Sequence, residues 1–119
     1  MKTITSANFV EVTKGSSLLF FFRQKGCSNC DATKPVIESI DKAGLNVFAL
    51  DADSERPLID KYGPKSKNWN LPLLVYMENG KVINILTGLH SEEDILEMTK
   101  TLQNISDVEL QSIYLELDV

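Results

Sequence analysis

The chain has 119 residues, of which 43% are hydrophobic and 24% are charged, and its net charge at pH 7 is −5. This length and apolar content suffice for one domain with one continuous core, so the fold does not need a crosslink. The acidic balance disfavours a nucleic-acid partner, because phosphate-binding surfaces carry an excess of Lys and Arg. The longest apolar run, at residues 18–22, is too short to span a membrane or to direct secretion. We therefore expect a soluble, cytoplasmic protein with a single domain, residues 1–119, and no membrane partner.

The first half of the chain alternates between strand and helix patterns. Residues 17–23 form a continuous apolar run bounded by polar residues, as expected of a strand that is buried on both faces. From Ser28 onward, apolar residues recur at helical spacing, and Gly44 is placed to end that helix. The other elements predicted here are a short strand at 1–5, a short helix at 7–14 that Gly15 ends, and a second central strand at 46–53.

The second half of the chain predicts a β-hairpin between helices. Residues 71–77 and 81–88 have strand composition, and Glu-Asn-Gly at 78–80 is typical of the turn between them. The remaining predicted elements are a short helix at 54–63, a helix at 92–105 that begins at a capping box of Ser91 and Asp94, and a helix at 107–117 that begins at a second box of Ser106 and Glu109. This order predicts an α/β fold with a mixed sheet.

The only two cysteines, Cys27 and Cys30, lie where the apolar strand turns into the helix. A disulfide across two intervening residues closes a small ring and adds little stability. A zinc site needs about four ligands, whereas the chain offers two thiols and one imidazole, His90; a metal site shared between two subunits is therefore the alternative, and no metal ligand is assigned within the chain. Reactive thiols are favoured, because intracellular thiols are kept reduced.

The position at a helix start divides the roles of the two thiols. Unpaired backbone N–H groups and the helix dipole favour the thiolate, which is the nucleophilic form of cysteine. Cys27, in the exposed first turn, is therefore expected to attack. Cys30 lies nearly one turn further along the helix, within reach to resolve a mixed disulfide.

Residues 1 to about 104 resemble the thioredoxin-like superfamily, and thioredoxins more than glutaredoxins. The resemblance is carried by the apolar strand before Cys27-Ser-Asn-Cys30, Pro35 in the following helix, Leu71-Pro72 at the opening of a strand, the hairpin at 78–83 and Gly88. It implies a thioredoxin fold, with a central mixed sheet of four to five strands flanked by helices, here with an extra C-terminal helix in residues 105–119. It also implies a cis peptide bond between Leu71 and Pro72, next to the sulfurs, and pairing of the Leu71 backbone with an extended substrate segment.

The activity that the resemblance implies is thiol–disulfide oxidoreduction through a reversible Cys27–Cys30 disulfide, with no metal or organic cofactor. The implied partners are disulfides of other proteins and, as electron donor, a flavin-dependent thioredoxin reductase or glutathione; we expect a monomer. Besides the cysteines, the residues expected to contact substrate are Gly26, Trp69, Leu71, Pro72 and Gly88. The alternative is a protein-binding module with the same fold, in which the Trp69 loop and the C-terminal helix recognise a partner and the cysteines are incidental or regulatory.

The sequence departs from the thioredoxin pattern around the cysteines. Gly26 stands in place of the usual Trp, and Ser28 and Asn29 stand in place of Gly-Pro. Phe21 stands where thioredoxins have a buried Asp that helps to move a proton to or from the second cysteine. Resolution by Cys30 is therefore expected to use water or another carboxylate, such as the nearby Asp31, and to be slower.

Residues 63–70, Gly-Pro-Lys-Ser-Lys-Asn-Trp-Asn, form a longer connection than thioredoxins have, and they contain the only tryptophan, Trp69. Trp69 either covers the sulfurs and selects substrates or anchors the loop by packing. Lys25 and Lys34 bracket the motif; they either favour a thiolate or are solvated surface charges.

His90 is expected to flank a helix and not to act as a base. Residues 105–119 are expected to pack on the domain, with docking or dimerisation as the alternative.

Overall fold

A computed structural model of the chain describes residues 2–3, 9 and 15–100. Residues 2–3 and 15–100 contain five strands and three helices. In chain order, the elements are β1 Lys2–Thr3, β2 Ser16–Phe22, α1 Ser28–Lys42, β3 Val47–Asp51, α2 Arg56–Tyr62, β4 Leu73–Glu78, β5 Lys81–Thr87 and α3 Glu92–Lys100. In these ranges, no helix has the length and apolar character needed to cross a membrane.

The strands form one mixed sheet in the order β1-β3-β2-β4-β5. Strand β2 occupies the centre and pairs in parallel with β3 and antiparallel with β4. Strand β1 adds to β3 in parallel, and β5 returns from β4 as an antiparallel hairpin. The predicted mixed sheet is thus confirmed, and it has five strands.

Strand β2 is buried on both faces, as its apolar run predicts. Its side chains alternate between the two faces of the sheet, because successive residues of a strand point in opposite directions. Leu19 and Phe21 pack on one face with residues of α2 and with Phe9, whereas Leu18 and Phe20 pack on the other with residues of α1 and α3. All four side chains are at most 1% exposed. The centre of the sheet is therefore covered by helices on both sides.

Local signals in the sequence fix several element ends. Asn79 and Gly80 both have positive φ (52° and 81°) in the two-residue turn between β4 and β5, as the Asn-Gly pair predicts. Ser91 Oγ accepts a hydrogen bond from the Asp94 amide at 3.2 Å, which confirms that Ser91 caps α3. Gly44, with φ of 107°, follows the last residues of α1.

Some predicted boundaries were wrong by a few residues. The strand predicted at 46–53 ends at Asp51, because the Asp51 carboxylate accepts hydrogen bonds from the amides of Asp53 and Ser54 and closes a turn there. The strand predicted at 71–77 begins at Leu73, after the Leu71–Pro72 peptide bond. The predicted helix at 7–14 is described only at Phe9, which is helical and buried, and the extension at 105–119 lies outside the described residues.

Gly63, which follows α2, is packed too closely to accept a side chain. A Cβ atom at this position would lie 2.6 Å from the carbonyl oxygen of Ile59 and 3.3 Å from Cδ2 of Leu73. Gly63→Ala should therefore lower the free energy of unfolding by about 1–3 kcal/mol, measured from the urea midpoint. Gly15→Ala is the matched control, because a Cβ there meets no atom of the described residues within 4 Å. Equal midpoints for the two variants would contradict this account of α2 packing.

Candidate active site

Cys27 caps the amino end of α1 and is joined to Cys30 by a disulfide bond. Strand β2 ends at Phe22 and a short turn delivers the chain to Cys27, whose Sγ accepts a hydrogen bond from the Cys30 amide at 3.1 Å. The two Cα atoms are 5.2 Å apart. Cys27 is partly exposed, whereas Cys30 is only 2% exposed. The disulfide thus presents one sulfur to an attacking group and buries the other.

The turn before Cys27 explains why Gly26 replaces the tryptophan of typical thioredoxins. Gly26 has a φ of 76°, in the left-handed region that glycine adopts without cost. For a residue with a side chain, this backbone conformation costs about 1–2 kcal/mol of free energy. The backbone conformation of this turn therefore favours glycine at position 26.

An ion pair holds the same turn against the end of β3. The Arg23 guanidinium donates three hydrogen bonds to the Asp53 carboxylate, at 3.0 to 3.3 Å. The Ala52 amide donates to the carbonyl of Phe22 at 2.9 Å and prolongs the contact between β2 and β3. These hydrogen bonds hold the pKa of Asp53 below its ordinary value and raise the pKa of Arg23. Both side chains are well exposed, so solvent and salt weaken the pair.

The position that carries a buried carboxylate in typical thioredoxins is apolar. Phe21 is fully buried in the cluster that contains Leu19, Leu50 and Leu73. Asp31, in the first turn of α1, has an exposed side chain, and its amide donates to the Cys27 carbonyl at 3.1 Å. Phe21 itself therefore provides no group for moving a proton to or from Cys30.

An open groove of about 770 Å³ begins at the disulfide. One wall comes from the cysteine turn, with Gly26, Cys27, Ser28 and Asn29; the others come from α2 and from the 63–70 loop. The groove is open to solvent, and Cys27 is part of its lining.

Trp69 packs on the core and also lines the groove. Its side chain is partly buried and packs against the core cluster on the α2 side of the sheet. It also lines the groove together with Cys27 and Leu71. The packing anchors the loop, and selection of substrates by Trp69 stays a prediction.

The Leu71–Pro72 peptide bond is cis, as the resemblance implies. Leu71 lines the groove, while Pro72 is buried. The Gly88 amide donates to the carbonyls of Asn70 at 2.9 Å and Pro72 at 3.0 Å, so the end of β5 fixes the segment around the cis bond. Pro72 and Gly88 support the groove wall, and of the three residues only Leu71 is part of its lining.

The other candidate residues lie elsewhere. His90 lies just before α3, with Nε2 2.8 Å from the carbonyl oxygen of Thr87, and it lines a separate pocket with Asn84 and Asp94. Lys25 and Lys34 are exposed and are not part of the groove lining. Among the described residues, no three His, Cys, Asp or Glu side chains come together in a group that could hold a metal ion.

The groove also contains residues that the sequence interpretation missed: Arg23, Arg56 and Asp60. Arg23 follows β2 and Arg56 opens the helix after β3. The carboxyl ends of parallel neighbouring strands meet at one edge of a sheet, and ligand sites form there. The sequence signal that could have located these groove residues is therefore the set of polar residues that follow two adjacent predicted strands.

Comparison with known proteins relates this architecture to solved thioredoxin structures. No protein-family model matches the chain, and no curated protein matches its sequence. A mutant thioredoxin from Halobacterium salinarum NRC-1 is 20% identical, with a TM-score of 0.74 over 88% of this chain and 92% of that one. A thioredoxin from Malassezia sympodialis is also 20% identical, with a TM-score of 0.70 over 84% of this chain and 89% of that one. The chain thus has the thioredoxin fold, and the chemistry of its site must be argued from its own residues.

The Arg23–Asp53 pair should make stability depend on acid. Because the folded pKa of Asp53 is lowered, the unfolded chain takes up this proton first as the pH falls. The pair therefore stabilises the fold fully above the ordinary carboxyl pKa of about 3.9, and its contribution is lost as the pH falls through the lower folded value. Urea unfolding should find Asp53→Asn less stable than wild type at neutral pH and equal to it in acid. Arg23→Gln and the double variant Arg23→Gln/Asp53→Asn complete a double-mutant cycle. If Asp53→Asn lowers the stability by the same amount at both pH values, the assignment is contradicted.

Proposed function

We propose that this protein is a thiol–disulfide oxidoreductase that reduces disulfide bonds of other proteins. The observation that supports the proposal most directly is the disulfide itself. It joins a partly exposed Cys27 at a helix start to a buried Cys30, and it opens onto a groove large enough for a peptide segment. An asymmetric pair of this kind separates an attacking sulfur from a resolving one.

The reaction begins with the reduced dithiol. The Cys27 thiolate attacks one sulfur of the substrate disulfide; a Cys27–substrate disulfide forms and the other substrate sulfur leaves as a thiolate. Cys30 then gives its proton to water or to a nearby carboxylate and attacks Cys27 Sγ. The second substrate sulfur leaves, both substrate thiolates take up protons, and two electrons have passed from the dithiol to the substrate. The protein is left with the Cys27–Cys30 disulfide.

The helix start favours this chemistry. The Cys30 amide already donates to Cys27 Sγ in the disulfide, and the same amide can donate to a thiolate at that position. The dipole of α1, a helix of 15 residues, acts in the same direction. Both effects stabilise negative charge on Cys27 when it attacks and when it leaves.

The Leu71 backbone offers a means of holding the substrate. Within the part of the chain that the structure describes, its amide and carbonyl make no hydrogen bond. An extended segment that carries the substrate disulfide can therefore pair with Leu71 on the groove wall, as in β-strand addition.

The cycle needs an electron source to restore the dithiol. We propose a flavin-dependent thioredoxin reductase or glutathione for this step, and no metal or organic cofactor bound to the protein itself. The cytoplasm, where thiols are kept reduced, is the compartment that suits this direction of reaction. We propose that the protein acts as a monomer.

Two serine variants test the proposal and are controls for each other, because each removes one sulfur from the same disulfide. With insulin as substrate and a small dithiol as reductant, the wild type should turn over. Cys27→Ser should lose turnover and form no mixed disulfide. Cys30→Ser should lose turnover but retain substrate on Cys27 as a mixed disulfide, visible by mass spectrometry.

Other outcomes would contradict the assignment. Substrate trapped by Cys27→Ser would reverse the roles of the two sulfurs. Absence of turnover by the wild type, with partner binding that survives Cys27→Ser, would favour the protein-binding module over the enzyme.

A further inference from the structure

The groove beside Cys27 is positively charged, although the chain as a whole is acidic. Of the 12 Lys and Arg residues, four line the groove: Arg23, Arg56, Lys65 and Lys67. Of the 17 Asp and Glu residues, the described lining contains only Asp60. Asp53, which is not part of the lining, pairs with Arg23 and also attracts Arg56. Together with Asp60, two carboxylates therefore offset four cations. The lining therefore has an excess of positive charge on a protein whose net charge is −5.

Two structural elements bring these charges to the groove. Arg56 is the first residue of α2, where the helix dipole disfavours a cation, so helix stability does not account for its presence. Lys65 and Lys67 belong to the 63–70 loop. The Lys65 ammonium donates to the carbonyls of Asp60 and Lys61 at the end of α2, which ties the loop to the helix. Trp69 anchors the other end of the loop in the core.

We propose that the substrate of this site is a disulfide within an acidic polypeptide segment, whose carboxylates bind to Arg56, Lys65 and Lys67 while Cys27 attacks. The reaction at Cys27 rests on the proposed function, but the binding of an acidic segment to the groove does not. Charge complementarity is the reason for the assignment: positive walls attract acidic segments and repel basic ones, which raises both the encounter rate and the selectivity. A polypeptide suits the groove because Leu71 lies on the same wall with an unpaired backbone among the described residues.

Trp69 provides a direct signal for binding, because it is the only tryptophan and lines the groove. The probe is a peptide with Glu residues on both sides of a Ser-X-X-Ser core, which cannot react, and its partner has Gln in place of every Glu. The Glu peptide should change the Trp69 fluorescence in a saturable way at low salt. The Gln peptide should bind more weakly, and salt should abolish the difference.

The test variant is Arg56→Gln/Lys67→Gln. Lys65 is left unchanged, because its ammonium also anchors the loop. The matched control is Lys42→Gln/Lys81→Gln, which changes the net charge equally. Lys42 ends α1, about 20 Å along the helix from the groove, and Lys81 lies at the hairpin, at the opposite end of β4 from Leu71. The first variant should bind the Glu peptide about five-fold more weakly than the wild type, and the control should bind it as the wild type does.

A kinetic arm connects binding to turnover. With Cys in place of both Ser residues, the oxidised Glu peptide should be reduced by the wild type about five-fold faster than the Gln peptide at low salt, as kcat/KM. The Arg56→Gln/Lys67→Gln variant should reduce the Glu and Gln peptides at equal rates, whereas the Lys42→Gln/Lys81→Gln control should keep the wild-type preference for the Glu peptide.

The outcomes separate the two proposals. Equal binding of the Glu and Gln peptides, or equal losses in the two double variants, would overturn the acidic-substrate inference. Tighter binding of an oligonucleotide than of the Glu peptide would also overturn it. The same holds if the Arg56→Gln/Lys67→Gln variant loses activity only with oxidised glutathione as the substrate. Selective binding of the Glu peptide without reduction of either disulfide peptide would leave this inference standing and refute the proposed function.

Discussion

Burial of β2 on both faces is the constraint on which the site depends. Side chains on one face pack with Phe9 and α2, and those on the other pack with α1 and α3, so packing on both sides holds the strand in place. The chain leaves β2 through a turn that Gly26 permits and that the Arg23–Asp53 pair holds against β3. It then enters α1 with Cys27 as the cap. The positions of both sulfurs follow from this path, because Cys30 lies less than one turn inside the helix and against the core.

The groove combines this fixed disulfide with elements that are particular to this chain. Strand pairing holds β4 and the segment before it, and the Gly88 amide fixes the carbonyls of Asn70 and Pro72. The 63–70 loop adds a wall with two lysines and Trp69, and α2 adds Arg56. The reactive sulfur therefore lies on a scaffold with the thioredoxin fold, whereas the charge of the surrounding surface comes from α2 and the long loop. In our proposals, the scaffold and its disulfide supply the chemistry, and the surface formed by α2 and the 63–70 loop selects the substrate.

Much of the fold could be predicted from the sequence because its local signals agree with its packing. The apolar run of β2, the Asn-Gly turn and the Ser91 cap each depend on nearby residues, and each was confirmed. The end of β3 was placed too late, because the Asp51 carboxylate closes a turn that strand composition does not reveal. The charged groove was not predicted, since Arg23, Arg56 and Lys67 are far apart in sequence and only the topology of the sheet brings them together. The role of Trp69 also required the three-dimensional packing.

The fold presents one sulfur of the pair and buries the other. Limited alkylation of the reduced protein, with the modified cysteine located by mass spectrometry, tests it most directly. Cys27 should be modified first, and Cys30 should be protected until urea unfolds the chain, after which both should react alike. Equal modification of the two cysteines in the folded protein, or earlier modification of Cys30, would contradict it.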